Sequence, residues 1–308
     1  MRLAVEFPNV IYREGPDAVK ELAAAIESIG FDQLDMFDHV VMGHPREDRP
    51  AMAYPSNMPI LEALMTLSFA AAATSTIGLG TEILILPQRQ PTLVARQIHT
   101  LDILSGGRVR IGLGVGWQES EYEALGVDFA QRGKMMDEAI EFMKAWWRDD
   151  SVTFDGDFYS AVDMTMEPRS PQGANIPIWI GGNSEAAIRR VGKVGDGWMA
   201  SGYAHDSELM NATIQRIKEL AEKNGRDPEK LGFQAQLSPP PRNNDPASRN
   251  FYANPEDVAG AAVVAQEAGF DWATINVTGV FVAGARDLGS IIDSLGTLHD
   301  RIRQEVGT

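Results

Sequence analysis

The sequence predicts one α/β domain over residues 1–308, a (β/α)8 TIM barrel with insertion loops, and three observations carry that prediction. Eight segments read as strands, most are followed by an amphipathic helix, and 308 residues suit one barrel of about 250 residues plus excursions. The repeating βα order fits a closed parallel barrel better than a doubly wound sheet. No linker, repeat or low-complexity tract divides the chain.

The strand candidates are 3–7, 33–37, 77–86, 108–113, 176–180, 197–201, 231–237 and 272–277. Apolar residues at helical spacing run through 18–28, 60–73, 93–104, 130–147 and 206–223. Asn254-Pro255-Glu256 opens a helix with proline in its first turn, and Gly30, Gly225 and Gly269 close three others. Within TLDILSGGRVRIGLGVGW (100–117), Gly106 and Gly107 stop a helix before a strand that exits through Gly112, Gly114 and Gly116. A buried strand leaving through glycines lets backbone approach a neighbour closely, most often a ligand. That places a candidate site at the C-terminal ends of the strands.

Three segments exceed the minimal repeat: 39–58, 151–175 with an Asp-Gly hairpin signal in FDGDFY, and the proline-rich 238–253. Loops after barrel strands are where function resides. The chain is 44% apolar and 23% charged, with formal net charge −16 from 27 basic and 43 acidic residues. That balance disfavours nucleic acid and anionic membranes as partners, while leaving room for a local anion site. No cysteine is present, so disulfides, thiolate metal sites and cysteine nucleophiles are excluded. No apolar run suggests a membrane span, and a first strand at residue 2 or 3 leaves no room for a signal peptide. A cytoplasmic location is expected.

GLGVG at 112–116 lacks the third glycine of a dinucleotide fingerprint, because Trp117 stands there. Asp38-His39 follows the second strand directly, where a histidine can exchange a proton near neutral pH. A loop histidine satisfied by backbone groups is the plainer reading, and with His44 the pair suggests a metal grouping that no further ligand completes. GGNSEAAIRR (181–190) opens a helix whose free N–H groups at Gly182, Asn183 and Ser184 suit a phosphate. Capping of that helix by Asn183 or Ser184 explains the same residues equally well. Trp117, Glu119, Glu121 and Tyr122 read by themselves as the first turn of an exposed helix, and Trp146-Trp147 as core or interface. Glu82 interrupts an apolar strand, and an inward carboxylate is costly unless paired or near solvent.

Five segments in order and at matching spacing carry a resemblance: FDQLDMFDHV (31–40), LGTEILILPQRQP (79–91), LDILSGGRVRIGLGVGWQESEYEALG (101–126), FDGDFY (154–159) and PIWIGGNSEAAIRRVGKVGDGW (177–198). The chain resembles the bacterial luciferase-like monooxygenase superfamily and, within it, the coenzyme F420-dependent oxidoreductases. The resemblance implies that Asp38 and His39 meet the deazaflavin ring, with His39 the proton donor or hydride-transfer partner. It implies a non-proline cis peptide at Glu82–Ile83 behind that ring, with Ile85 where some relatives carry a hydroxyl. Gly116, Trp117, Gln118 and Tyr122 then line the cofactor, Glu119 matches a catalytic acid/base, and Gly181, Gly182, Asn183 and Ser184 form the phosphate loop.

The function expected from this is hydride transfer between F420 and a small, rather apolar organic substrate, by a homodimer without nucleic-acid or membrane partners. Met42, Met52, Tyr54, Met58 and Phe251 are expected in the pocket roof. The alternatives are an FMN-dependent monooxygenase served by a separate reductase, and a flavin-binding protein without turnover. Few lysines in the excursions argue against a sugar-phosphate substrate. If Gly182 donates to the phosphate, Gly182→Pro weakens cofactor binding more than Ser184→Ala does. Equal, negligible effects of both place the phosphate near Arg89 or Arg242.

Overall fold

The computed structural model describes residues 1–49, 54–201, 206–239 and 250–307. Met52 and Arg242, named above, lie outside these. The parallel barrel strands are β1 (Arg2–Glu6), β2 (Gln33–Met36), β3 (Gly78–Thr81), β4 (Leu84–Ile85), β5 (Val109–Gly114), β8 (Ile178–Gly181), β9 (Gly197–Ala200), β10 (Gly232–Leu237) and β11 (Trp272–Ile275). They run in the order β3-β2-β1-β11-β10-β9-β8-β5-β4, and β3 also pairs with β5. That extra pairing closes the sheet, so β3 and β4 are two halves of one barrel strand and the barrel has eight. The halves meet at Glu82–Ile83, whose peptide is cis as the resemblance implies.

Between the strands lie α1 (Pro16–Ile29), α2 (Ala63–Ala71), α3 (Pro91–Ser105), α4 (Glu119–Ala124), α5 (Arg132–Arg148), α6 (Glu185–Val194), α7 (Ser207–Lys223) and α8 (Pro255–Glu267). The excursion between α5 and β8 carries the expected hairpin, β6 (Val152–Asp155) against β7 (Ser160–Met164), antiparallel. Two helices not singled out by periodicity complete the chain, α9 (Val277–Val282) and α10 (Leu288–Val306). α10 starts at a capping box between Asp287 and Ser290.

Alternation along each strand sorts residues into two environments. Leu3, Val5, Leu34, Met36, Ile111 and Ile178 belong to the main core, which the helices cover. Trp146 and Trp147 are in that core too, as expected. The opposite faces bring Ala4, Trp179, Met199 and Trp272 into a separate small cluster joined by Ile83. Around this cluster the barrel interior is unusually polar. Asp35 and Arg110 form a buried ion pair at 2.8 Å, and Gln33 and Gln234 hydrogen-bond to it or to its neighbours.

Several glycines serve this interior. A Cβ at Gly112 would meet Met199, one at Gly116 would meet Ile85, and ones at Gly114 and Gly181 would each come within 2.5 Å of Ile83. The glycine-rich strand exit therefore accommodates the protein's own side chains, where the sequence suggested a ligand. Gly114→Ala or Gly181→Ala is expected to overpack Ile83 and destabilise the fold by about 1–3 kcal/mol. Thermal melts check this. Unchanged melting temperatures would mean that Ile83 yields freely and the glycines are not needed for it.

Candidate active site

The second and fourth barrel strands place one histidine and one carboxylate together. β2 ends at Met36, and the chain turns over the barrel mouth through Asp38 and His39. Beyond β5, the short helix α4 puts Gln118 and Glu121 on its inner side, three residues apart, while Glu119 and Glu123 face solvent. Glu121 is fully buried, and its Oε2 lies 3.1 Å from His39 Nδ1. Its Oε1 accepts the backbone N–H of Val40 at 2.5 Å and of Val41 at 3.3 Å. Gln118, also fully buried, donates to Val41 O at 2.8 Å and accepts from the Gly43 N–H at 3.3 Å. α4 thus clamps the start of the 39–58 excursion and orients its histidine.

Burial alone would raise the Glu121 pKa, but the hydrogen bonds from His39 and Val40 outweigh it and hold the carboxyl below its usual range. An ionised carboxylate only accepts, so the proton on the shared edge belongs to His39 Nδ1. That assigns the tautomer and leaves Nε2 as the ring nitrogen without a partner among the described residues. Trp117, 44% exposed, meets the His39 ring edge-on with centroids 5.4 Å apart, and Tyr54 does so at 6.0 Å. Tyr54 also lines an apolar cavity of about 460 Å³ with Phe7, Phe37, Met58, Val277 and Phe281. The residues after β1, β2 and β11 therefore build an apolar chamber beside the histidine.

The remaining expected site residues divide. Asp38 does not present its carboxylate to the mouth. It accepts two hydrogen bonds from Arg89, at 2.7 and 2.8 Å, and one from the Ile85 N–H at 3.0 Å. It ties the turn after β2 to β4, and it occupies Arg89 as an alternative phosphate ligand. Glu119 is exposed, so the carboxylate that reaches His39 is Glu121 and not Glu119. Tyr122 is fully buried and its hydroxyl donates to Val115 O at 2.5 Å, which makes it a core residue where cofactor contact was expected. Phe251 is likewise packed in the core.

At the 181–184 loop, Gly182 has φ +110°, donates its N–H to Met199 O at 3.3 Å and accepts from the Trp198 indole at 2.9 Å. Its N–H extends strand pairing, so the expected Gly182 donor is not free for a phosphate. Ser184 caps α6 by accepting from Ala187 N at 3.2 Å. Asn183 donates to Ser201 O at 2.6 Å, while its Oδ1 is buried without a partner among the described residues. Ser120 Oγ is a second such orphan, also just beyond a strand C-terminus. His44 bonds Ser56 Oγ at 2.9 Å and stands apart from the Asp38–Arg89 and His39–Glu121 pairs.

Glu82 accepts from Gln234 Nε2 at 2.8 Å, the pairing that its inward position required. Burial, then the charges of Glu6 and Asp35, raise its pKa well above the ordinary carboxylate value. Glu6 accepts from Gln236 at 3.1 Å, and burial and Asp35 push its pKa up to about 8. The sequence reading missed Glu6, Asp35 and Arg110, and it read Glu121 as part of an exposed helix turn where the residue is fully buried. The signal that singled out Glu82, a charge inside an apolar strand, is equally present in Asp35 of QLDM and Arg110 of VRIGLG.

The family model described as luciferase-like monooxygenase matches residues 2–253. An uncharacterized protein of Mycobacterium bovis is 33% identical over 213 residues, covering 67% of this chain and 72% of that protein. The F420-dependent glucose-6-phosphate dehydrogenase of Kineococcus radiotolerans is 28% identical over 215 residues, covering 68% of this chain and 60% of the relative. A monooxygenase from Streptomyces bottropensis has the same fold, with TM-score 0.78, 18% identity and 99% of each chain covered.

Proposed function

Because the chain belongs to the luciferase-like monooxygenase family, we propose that it is an F420-dependent oxidoreductase acting on a small, apolar organic substrate. The observation that carries this reading is the buried His39–Glu121 pair beside an apolar chamber, with Tyr54 shared between them. The relative named for F420 dependence supports the choice of cofactor. The whole activity of that relative, of which this chain covers 60%, is not carried over.

The polar groups at the mouth suit such a cofactor. Asn183 Oδ1 and Ser120 Oγ are buried and unpartnered among the described residues, and of the first-turn N–H groups of α6 only that of Ala187 has an acceptor there, Ser184 Oγ. Trp117, Ile83, Asn183 and the α6 N-terminus are the groups that would hold it. When bound, the deazaflavin supplies the carbon that carries the hydride. The protein's share is to exclude water through the apolar lining and to exchange a proton at His39 Nε2. Glu121 keeps the other nitrogen protonated and the ring in one orientation. The apolar wall of Phe7, Phe37, Met58 and Phe281 selects a substrate without charge near the histidine.

Parallel titration of the purified protein with F420 and FMN tests the reading. Saturable F420 binding at least tenfold tighter than FMN binding is expected. Tight FMN binding without detectable F420 binding would overturn it in favour of a flavin monooxygenase. Binding of either with no turnover of any supplied substrate would favour a cofactor-binding protein.

A further inference from the structure

At the end of the barrel opposite the histidine, the chain forms a second cavity of about 610 Å³. The residues that begin the strands line it, among them Arg2 of β1, Gly232 of β10 and Trp272 of β11. Its charge runs against that of the whole protein. Five cations (Arg2, Arg110, Lys144, Arg148, Lys230) face three carboxylates (Asp196, Glu229, Asp271), in a chain with 27 basic and 43 acidic residues. The three carboxylates are already engaged, as are Arg148 with Asp149 at 2.6 Å and Lys144 with Val194 O at 2.7 Å. Asp196 accepts from Ile178 N at 2.9 Å, Asp271 from Phe233 N at 2.6 Å, and Glu229 from Lys218 at 2.9 Å.

Arg110 is the decisive group. It is 6% exposed, and its guanidinium carbon lies 4.3 Å from the Trp179 ring and 4.5 Å from the Trp272 ring. The indoles cover its faces, so its hydrogen bonds must come from the in-plane edge. Nη2 donates to Asp35 and to Gln234, both at 2.8 Å. Nε and Nη1 are buried and have no acceptor among the described residues. A desolvated guanidinium edge without an acceptor is costly, and an oxyanion satisfies two such donors at once. Arg2, stacked 5.2 Å over Trp272, supplies a second positive group at the rim.

We propose that this N-terminal cavity binds a small oxyanion, a carboxylate or phosphate group, against Arg110 with Trp179 and Trp272 as its walls. The site is separate from the His39 mouth and does not depend on the cofactor.

Calorimetric titration of the full chain at fixed ionic strength tests it, with benzoate and inorganic phosphate as probes. Benzoate asks whether the indole walls add to the charge, and phosphate asks for the anion alone. Saturable binding of at least one probe is expected, weakened at least fivefold in Arg2→Ala and unchanged in His39→Ala. Arg2 is exposed at a strand start, so its removal spares the barrel interior. Arg110→Lys serves as a second variant, keeping the charge but losing the planar fork, and it too should weaken binding. No saturation by either probe would overturn the proposal. So would binding that Arg2→Ala and Arg110→Lys both leave intact.

Discussion

Replacing His39 by alanine is expected to lower turnover by about 100-fold or more while the protein stays folded. The effect is large because His39 Nε2 has no partner among the described residues and the ring's other nitrogen is committed to a fully buried carboxylate 3.1 Å away. Glu121→Gln keeps the volume of that carboxylate but removes its charge. An amide can donate or accept toward Nδ1, so the tautomer is no longer dictated, and turnover should fall by at least about tenfold. Cofactor affinity, measured by titration, should change little in either variant, because the effect lies in proton exchange at the ring. Steady-state kinetics separates the outcomes. If both variants turn over as the parent does, the pair serves only to anchor the excursion through Val40 and Val41.

The second large effect concerns stability against pH. Glu6, Asp35 and Glu82 share the barrel interior with one guanidinium, Arg110, which pairs with Asp35. The other two carboxyls pair with no cation among the described residues. Burial, reinforced by Asp35, pushes the Glu6 pKa up to about 8, and Glu82 is raised as well. Because the folded protein holds these protons more tightly than the unfolded chain, their contribution is complete below the ordinary carboxylate pKa. It is lost as pH rises through the folded value, so stability should decline between about pH 5 and pH 8. Glu6→Gln keeps an acceptor for Gln236 and cannot ionise. It should be more stable than the parent above pH 8 by about 2–4 kcal/mol, and near parity at pH 5. Denaturant melts across that range decide the matter. A parent and variant that differ by the same amount at every pH would show that Glu6 keeps its proton at no cost, or has none to keep.

The two expectations rest on different kinds of sequence information. His39 was legible because it directly follows an apolar strand, a local feature, and its place at the barrel mouth follows from the βα order. Its partner was not legible. Glu119, Glu121 and Glu123 are alternate residues of one short acidic segment, and only helix phase against the 39–41 backbone, some 80 residues away, selects Glu121. The hydrogen bonds of Gly182 and Tyr122 were illegible for the same reason. Their polar groups bond to Met199 O and Val115 O, and spacing within one motif does not reveal which backbone lies alongside.

What the sequence determined by itself was the succession of the barrel strands, the helices after most of them and the hairpin signalled by FDGDFY at 154–159. Each of these is set by apolar period, turn residues or a motif read within about fifteen residues. Only the tertiary structure decided that Asp38 is held by Arg89, that Arg110 sits between two indoles, and that Glu6 and Glu82 pair with no cation among the described residues. These depend on which inward-facing residues meet when the eight strands close. Closure sets the distances, and with them the charges that must be shared inside a medium where water cannot screen them.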